Sequence, residues 1–66
     1  MVEMIIAVLE NNGDWMSIRE IKDAIVVKYG ITPDYGCVYQ LLNYSELANH
    51  VQKELNTKPQ QYKLEQ

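Results

Sequence analysis

The hydrophobic period changes once along this chain, near Asn49, and that change restricts the fold more than any other feature. Before it, apolar residues recur at helical spacing; after it, they alternate. Met1 to Asn12 is apolar on most sides, with Glu3 and Glu10 on one face. A helix greasy around most of its girth is central to a core, or divided between core and dimer interface. Gly13 supplies the left-handed residue that ends it. The short stretch Asp14 to Ser17 reads as extended, with Trp15 packing the first strand over the core. Ser17-Ile18-Arg19-Glu20 is a capping box, in which Ser17 and Glu20 satisfy the free amides of a helix start. Ile18, Ile21, Ile25 and then Tyr29 or Lys28 follow at helical spacing, and Gly30 closes the segment. Thr32 as N-cap and Pro33 at the first helical position predict a third helix over residues 33–48. Its faces are Val38, Leu41, Leu42 and Ser45 on one side, and Gly36, Tyr39, Gln40 and Asn43 on another. Asn49 is expected to end it in the left-handed conformation.

Beyond Asn49 the alternation predicts a hairpin over residues 50–65, with Val51, Leu55, Tyr62 and Leu64 inward. Asn56 to Pro59 is turn material, and Pro59, which cannot donate to a ladder, belongs at the mouth of the hairpin. Lys58 is then placed at the exposed tip and Lys63 on the outer face. The expected order is helix, strand, helix, helix, strand, strand, an α+β fold with a small antiparallel sheet.

At 66 residues the chain reads as one domain, residues 1–66, near the lower limit for burying a sufficient core unaided. Self-association would relieve that limit, so a homodimer is expected. An apolar fraction of 47% argues against disorder. The single cysteine, Cys37, excludes an internal disulfide and a cysteine metal cluster, and it suits a reducing cytoplasm. The apolar opening carries two glutamates, lacks a basic start and is too short to span a bilayer, so nothing points to a membrane.

The formal charge is −3, which speaks against nucleic acid, but the acid is unevenly spread. Residues 1–30 hold five acidic and three basic side chains, whereas Lys53, Lys58 and Lys63 face only Glu54 and Glu65 from His50 onward. No nucleophile–base pair, phosphate-binding glycine loop or carboxylate pair is present, so neither an enzyme nor a cofactor is expected. His50 has no second histidine or cysteine at ligand spacing, so no metal is expected. Cys37 reads as a structural thiol, without a histidine or acid at catalytic spacing.

The stretch from Gly36 to Leu64 resembles the recognition helix, strand and wing of small PadR- or MarR-like winged helix-turn-helix regulators. The residues that carry this are Val38-Tyr39, Leu41-Leu42, Val51, Lys58-Pro59 and Tyr62-Lys63-Leu64, and the likeness extends over residues 17–65. Asn49 stands in place of a usual glycine, and Ser45 and His50 in place of leucines. The resemblance implies a three-helix winged-helix domain that binds double-stranded DNA, a dimeric regulator of transcription of cellular or viral origin. The third helix would lie in the major groove and the wing would touch the backbone or minor groove. On this pattern Gln40 and Asn43 read bases, since amides pair with adenine. Tyr35, Tyr39 and Tyr44 donate to phosphates or touch thymine methyls, beside Gly36. The Thr32-Pro33 start offers free amides to phosphate, and Lys53, Thr57 and Lys58 hold the backbone from the hairpin.

Each of these residues also has a plainer role. Tyr39 and Tyr44 suit the edge of a core, Gln40 and Asn43 a solvated face, and Lys58 an exposed turn. No Arg or Lys occurs between Thr32 and Asn49, although such residues supply phosphate neutralisation and the commonest guanine contacts. A helix made of Tyr, Gln and Asn also suits a protein groove. The competing reading is therefore a winged-helix protein-interaction module. A positive stripe joining Lys53 and Lys58 to Arg19 or Lys22 would favour DNA.

Overall fold

The computed structural model describes residues 1–65. The elements are α1 (Val2–Asn12), β1 (Met16–Ser17), α2 (Ile18–Tyr29), α3 (Tyr35–Tyr44), a short 3-10 helix (Glu46–His50), β2 (Val51–Glu54) and β3 (Gln61–Leu64). The order of helices and strands is the expected one, an α+β fold compatible with a winged helix. Ile5, Val8 and Leu9 bury the inner face of α1, and Ile18, Ile21 and Ile25 that of α2. Gly13 and Gly30 end these helices at φ 71° and 68°, the left-handed region that glycine enters at no steric cost. Each passes its amide back to a carbonyl four residues earlier, Leu9 and Val26. The capping box forms in full: Ser17 Oγ accepts from the Glu20 amide at 3.2 Å, and Glu20 Oε1 accepts from the Ser17 amide at 2.9 Å.

The third helix is shorter than residues 33–48 at both ends. Thr32 is not its N-cap and Pro33 is not its first residue. Asp34 caps it, its Oδ2 accepting from the Cys37 amide at 3.2 Å, while Pro33 is buried in the turn before it. At the other end the Ser45 hydroxyl donates to the Leu41 carbonyl and accepts from the Leu47 amide. One hydroxyl thus ends the α-helix and opens the 3-10 turn that buries Leu47. Asn49 lies inside that turn, and among the described residues only glycines have positive φ, so the left-handed exit expected at Asn49 does not occur.

The sheet has the order β1-β3-β2, antiparallel throughout. The last strand in sequence is therefore the central one. Met16 stands opposite Tyr62, and Val51 opposite Leu64. Tyr62 and Val51 face the helices and are buried; Leu64 beside them is half-buried. Leu55 is not inward. It follows the last residue of β2 and is 52% exposed, because the chain turns there, with Glu54 Oε1 accepting from the Asn56 amide. Lys63 lies on the outer face with its ammonium 5.9 Å from the centre of the Trp15 ring, so Trp15 covers the outside of the sheet. The core is one cluster running from Ile5 through Ile21, Val38 and Leu42 to Tyr62. Among the described residues no helix is long and apolar enough to cross a membrane.

Candidate nucleic-acid interface

The capping box arranges charge as well as backbone. Glu20 turns its carboxylate back onto Ser17, and Arg19 beside it is exposed on the first turn of α2. Lys22 lies three residues on, hence on a neighbouring part of the helix surface. Its ammonium sits 5.9 Å from the centre of the Tyr35 ring, at the start of α3. At that distance a cation is drawn to the face of an aromatic ring. A cleft of about 450 Å³ runs from this point to the hairpin, lined by Ser17, Ile18, Arg19, Tyr35, Pro59 and Gln60. A second recess joins Arg19, Lys22, Asp23 and Tyr35. Three elements distant in sequence, the α2 start, the α3 start and the hairpin loop, thus meet around two cationic side chains.

The ten residues expected to touch DNA are distributed unevenly around this meeting point. Tyr35 belongs to it directly. Lys58 and Thr57 are exposed beside Pro59, with Thr57 Oγ1 donating to the Pro59 carbonyl at 3.2 Å and the Lys58–Pro59 peptide bond cis. Gly36, Gln40 and Tyr44 recur every four residues and so share one face of α3; Gly36 and Gln40 are exposed, and Tyr44 is 77% exposed. Tyr39 is half-buried, its ring centre 6.1 Å from that of Tyr44 and tilted by 56°. The neighbouring Tyr44 phenol is the main reason that the Tyr39 hydroxyl titrates above its ordinary range, with burial adding to it.

No family model, no curated protein and no solved structure matches the chain. Its chemistry must be read from its own side chains.

Two of the expected residues are otherwise engaged. The Asn43 amide nitrogen donates to the Tyr39 carbonyl at 2.9 Å and to the Tyr62 hydroxyl at 3.0 Å, so it ties α3 to the central strand. Lys53 is half-buried and stands directly opposite Tyr62, on the face that carries Val51. Thr32 is exposed. The start of α3 is not an open seat for phosphate, because the Asp34 carboxylate occupies the Cys37 amide and adds negative charge there. The basic side chains near that start are Arg19 and Lys22, with the Asp23 carboxylate in the same recess. Spacing alone placed those two side chains near each other. Their approach to Tyr35 and Pro59 depends on the turn between α2 and α3, and no local pattern announces it. Cys37 is exposed, and among the described residues no group of three His, Cys, Asp or Glu side chains is placed to hold a metal.

Proposed function

We propose that this protein binds double-stranded DNA as a small winged-helix regulator of transcription, working as a homodimer in the reducing cytoplasm and catalysing nothing. The observation that carries the reading is the convergence of Arg19 and Lys22 with Tyr35 and the Pro59–Gln60 end of the wing. A guanidinium and an ammonium one helical turn apart suit consecutive phosphates of one strand. Tyr35 and Gln60 add hydrogen-bonding groups beside them. Next to this grip, α3 presents Gln40 and Tyr44 for groove contact, while Asn43 acts from behind by fixing the helix on the sheet. The phosphate grip and not the helix supplies most of the affinity, so binding is strongly salt-dependent. The test is fluorescence anisotropy with labelled duplexes from about 50 to about 200 mM salt. Binding should weaken steeply over that range, and Arg19→Ala, Lys22→Ala and Lys58→Ala should each reduce the log–log slope by about one per copy. A wild-type chain with no affinity for duplex at the lower salt sinks the reading.

The second reading, a protein-interaction module, is favoured by one observation. Tyr35 and Tyr44 are 55% and 77% exposed on a helix without Lys or Arg, and exposed tyrosines are enriched in protein interfaces. In that case Tyr44→Ala abolishes capture of the partner, and Arg19→Ala leaves it intact.

A further inference from the structure

A recess of about 720 Å³ lies between α1 and α2. Val8, Met16 and Ala24 give it an apolar lining, and Asn12, Asp23 and Lys28 a polar rim. Val27, 87% exposed, forms part of its wall. Asp23 borders both this recess and the one that holds Arg19, Lys22 and Tyr35, so the two surfaces adjoin along α2. An exposed aliphatic side chain on the wall of an apolar recess gives a surface that a second apolar surface would cover, and a two-fold axis sets two such surfaces face to face.

The charges on the rim say how the two copies lie. Asp23 and Lys28 are five residues apart, about 140° around the helix, and they flank the Ala24/Val27 stripe on opposite sides. In heptad terms Ala24 and Val27 occupy the two seam positions a and d, with Asp23 at g and Lys28 at e. When two such helices run parallel, the g side of one faces the e side of the other, five residues further on. Asp23 then meets the partner's Lys28, and Lys28 the partner's Asp23. Run antiparallel, the same faces would oppose Asp23 to Asp23 and Lys28 to Lys28. We infer that the α1–α2 groove receives a second copy of this chain, packed α2 against α2 in parallel about a two-fold axis along the helices.

The arrangement deepens the dimer of the proposed function and rests on it. A two-fold axis parallel to α2 brings both α2 N-termini, and so both Arg19–Tyr35–Pro59 clefts, to one end of the assembly. Two half-sites of a duplex need that placement.

Sedimentation equilibrium of the full chain over about 10 to 500 µM, spanning micromolar to millimolar affinities, tests it. The wild type should dimerise. Val27→Asp should weaken association more than about tenfold, with an unchanged circular dichroism spectrum because the side chain is exposed. Asp23→Lys and Lys28→Asp should each weaken it as well, whereas the double reversal in one chain should restore it to near the wild-type level. A wild type that stays monomeric overturns the inference, as does a dimer indifferent to Val27→Asp. Failure of the double reversal overturns the parallel packing. A different protein captured on this face by a monomeric wild type also overturns it. Duplex binding is scored separately on a single half-site oligonucleotide. A monomer that binds it refutes the dimer and leaves the DNA reading standing. A Val27-dependent dimer that ignores it does the reverse.

Discussion

Asn43 shows how one side chain can look like a reader of bases and serve as a latch. Tyr62 is wholly buried, so its hydroxyl needs a partner inside the protein, and the Asn43 amide supplies one. Among the described residues no buried side-chain polar atom is left unpaired. Asn43→Ala strands a buried phenol and should cost about 1–3 kcal/mol in urea unfolding. Tyr62→Phe should cost less, because the amide left behind is only half-buried and can turn to water. In the double variant the two losses should overlap; strict additivity would show that the hydrogen bond is not what couples them. Tyr39, next to this latch, carries a pH prediction. Its folded-state value is raised, chiefly by the Tyr44 phenol, with burial and the Tyr62 and Tyr35 phenols adding smaller pushes. The unfolded chain therefore releases that proton first. The contribution to stability is complete below the ordinary phenol range, about pH 10, and is lost as pH rises through the folded value. A phenolate absorbance titration should show Tyr44→Phe moving Tyr39 back toward the ordinary range.

At the scale of elements, α3 is the part whose limits depend most on its surroundings. Thr32 and Asp34 are both good N-cap residues, and Pro33 fits after one or before the other. Local pattern cannot choose between them; burial of Pro33 does, by placing the helix start beyond it. Asp34→Ala should therefore cost about 1 kcal/mol, and Thr32→Ala less than about 0.5 kcal/mol, as thermal unfolding would record. Equal costs would return the cap to Thr32. The same contrast explains what the sequence made legible. The capping box at Ser17 and the glycine ends at Gly13 and Gly30 are settled by residues three or four apart, and the structure has them as expected. Ser45 and Leu55 depart because one is claimed by two backbone partners and the other follows a strand that ends a residue earlier. The cleft at Arg19 was the least legible part, since it joins three segments that meet only in the folded chain.

At the scale of the whole molecule, every strand pairing among the described residues passes through β3. Removing residues 57–66 deletes the partner of both β1 and β2 together with the buried Tyr62. The truncated chain should lose its cooperative thermal transition, and its far-UV spectrum should fall toward that of an unfolded chain. A retained transition would mean that the helices are stable without the sheet. The dimer inferred from α2 belongs to this scale too, because it would add buried apolar surface to a chain that has little to spare. The place of β3 also orders events during folding. β1 and β2 do not pair with each other, so neither has a strand neighbour until β3 docks between them. Helices α1, α2 and α3 can gather beforehand through local contacts. An opening that releases β3 alone would therefore leave a helical cluster with two idle strand edges at once, the form in which the protein is most open to pairing with the wrong chain.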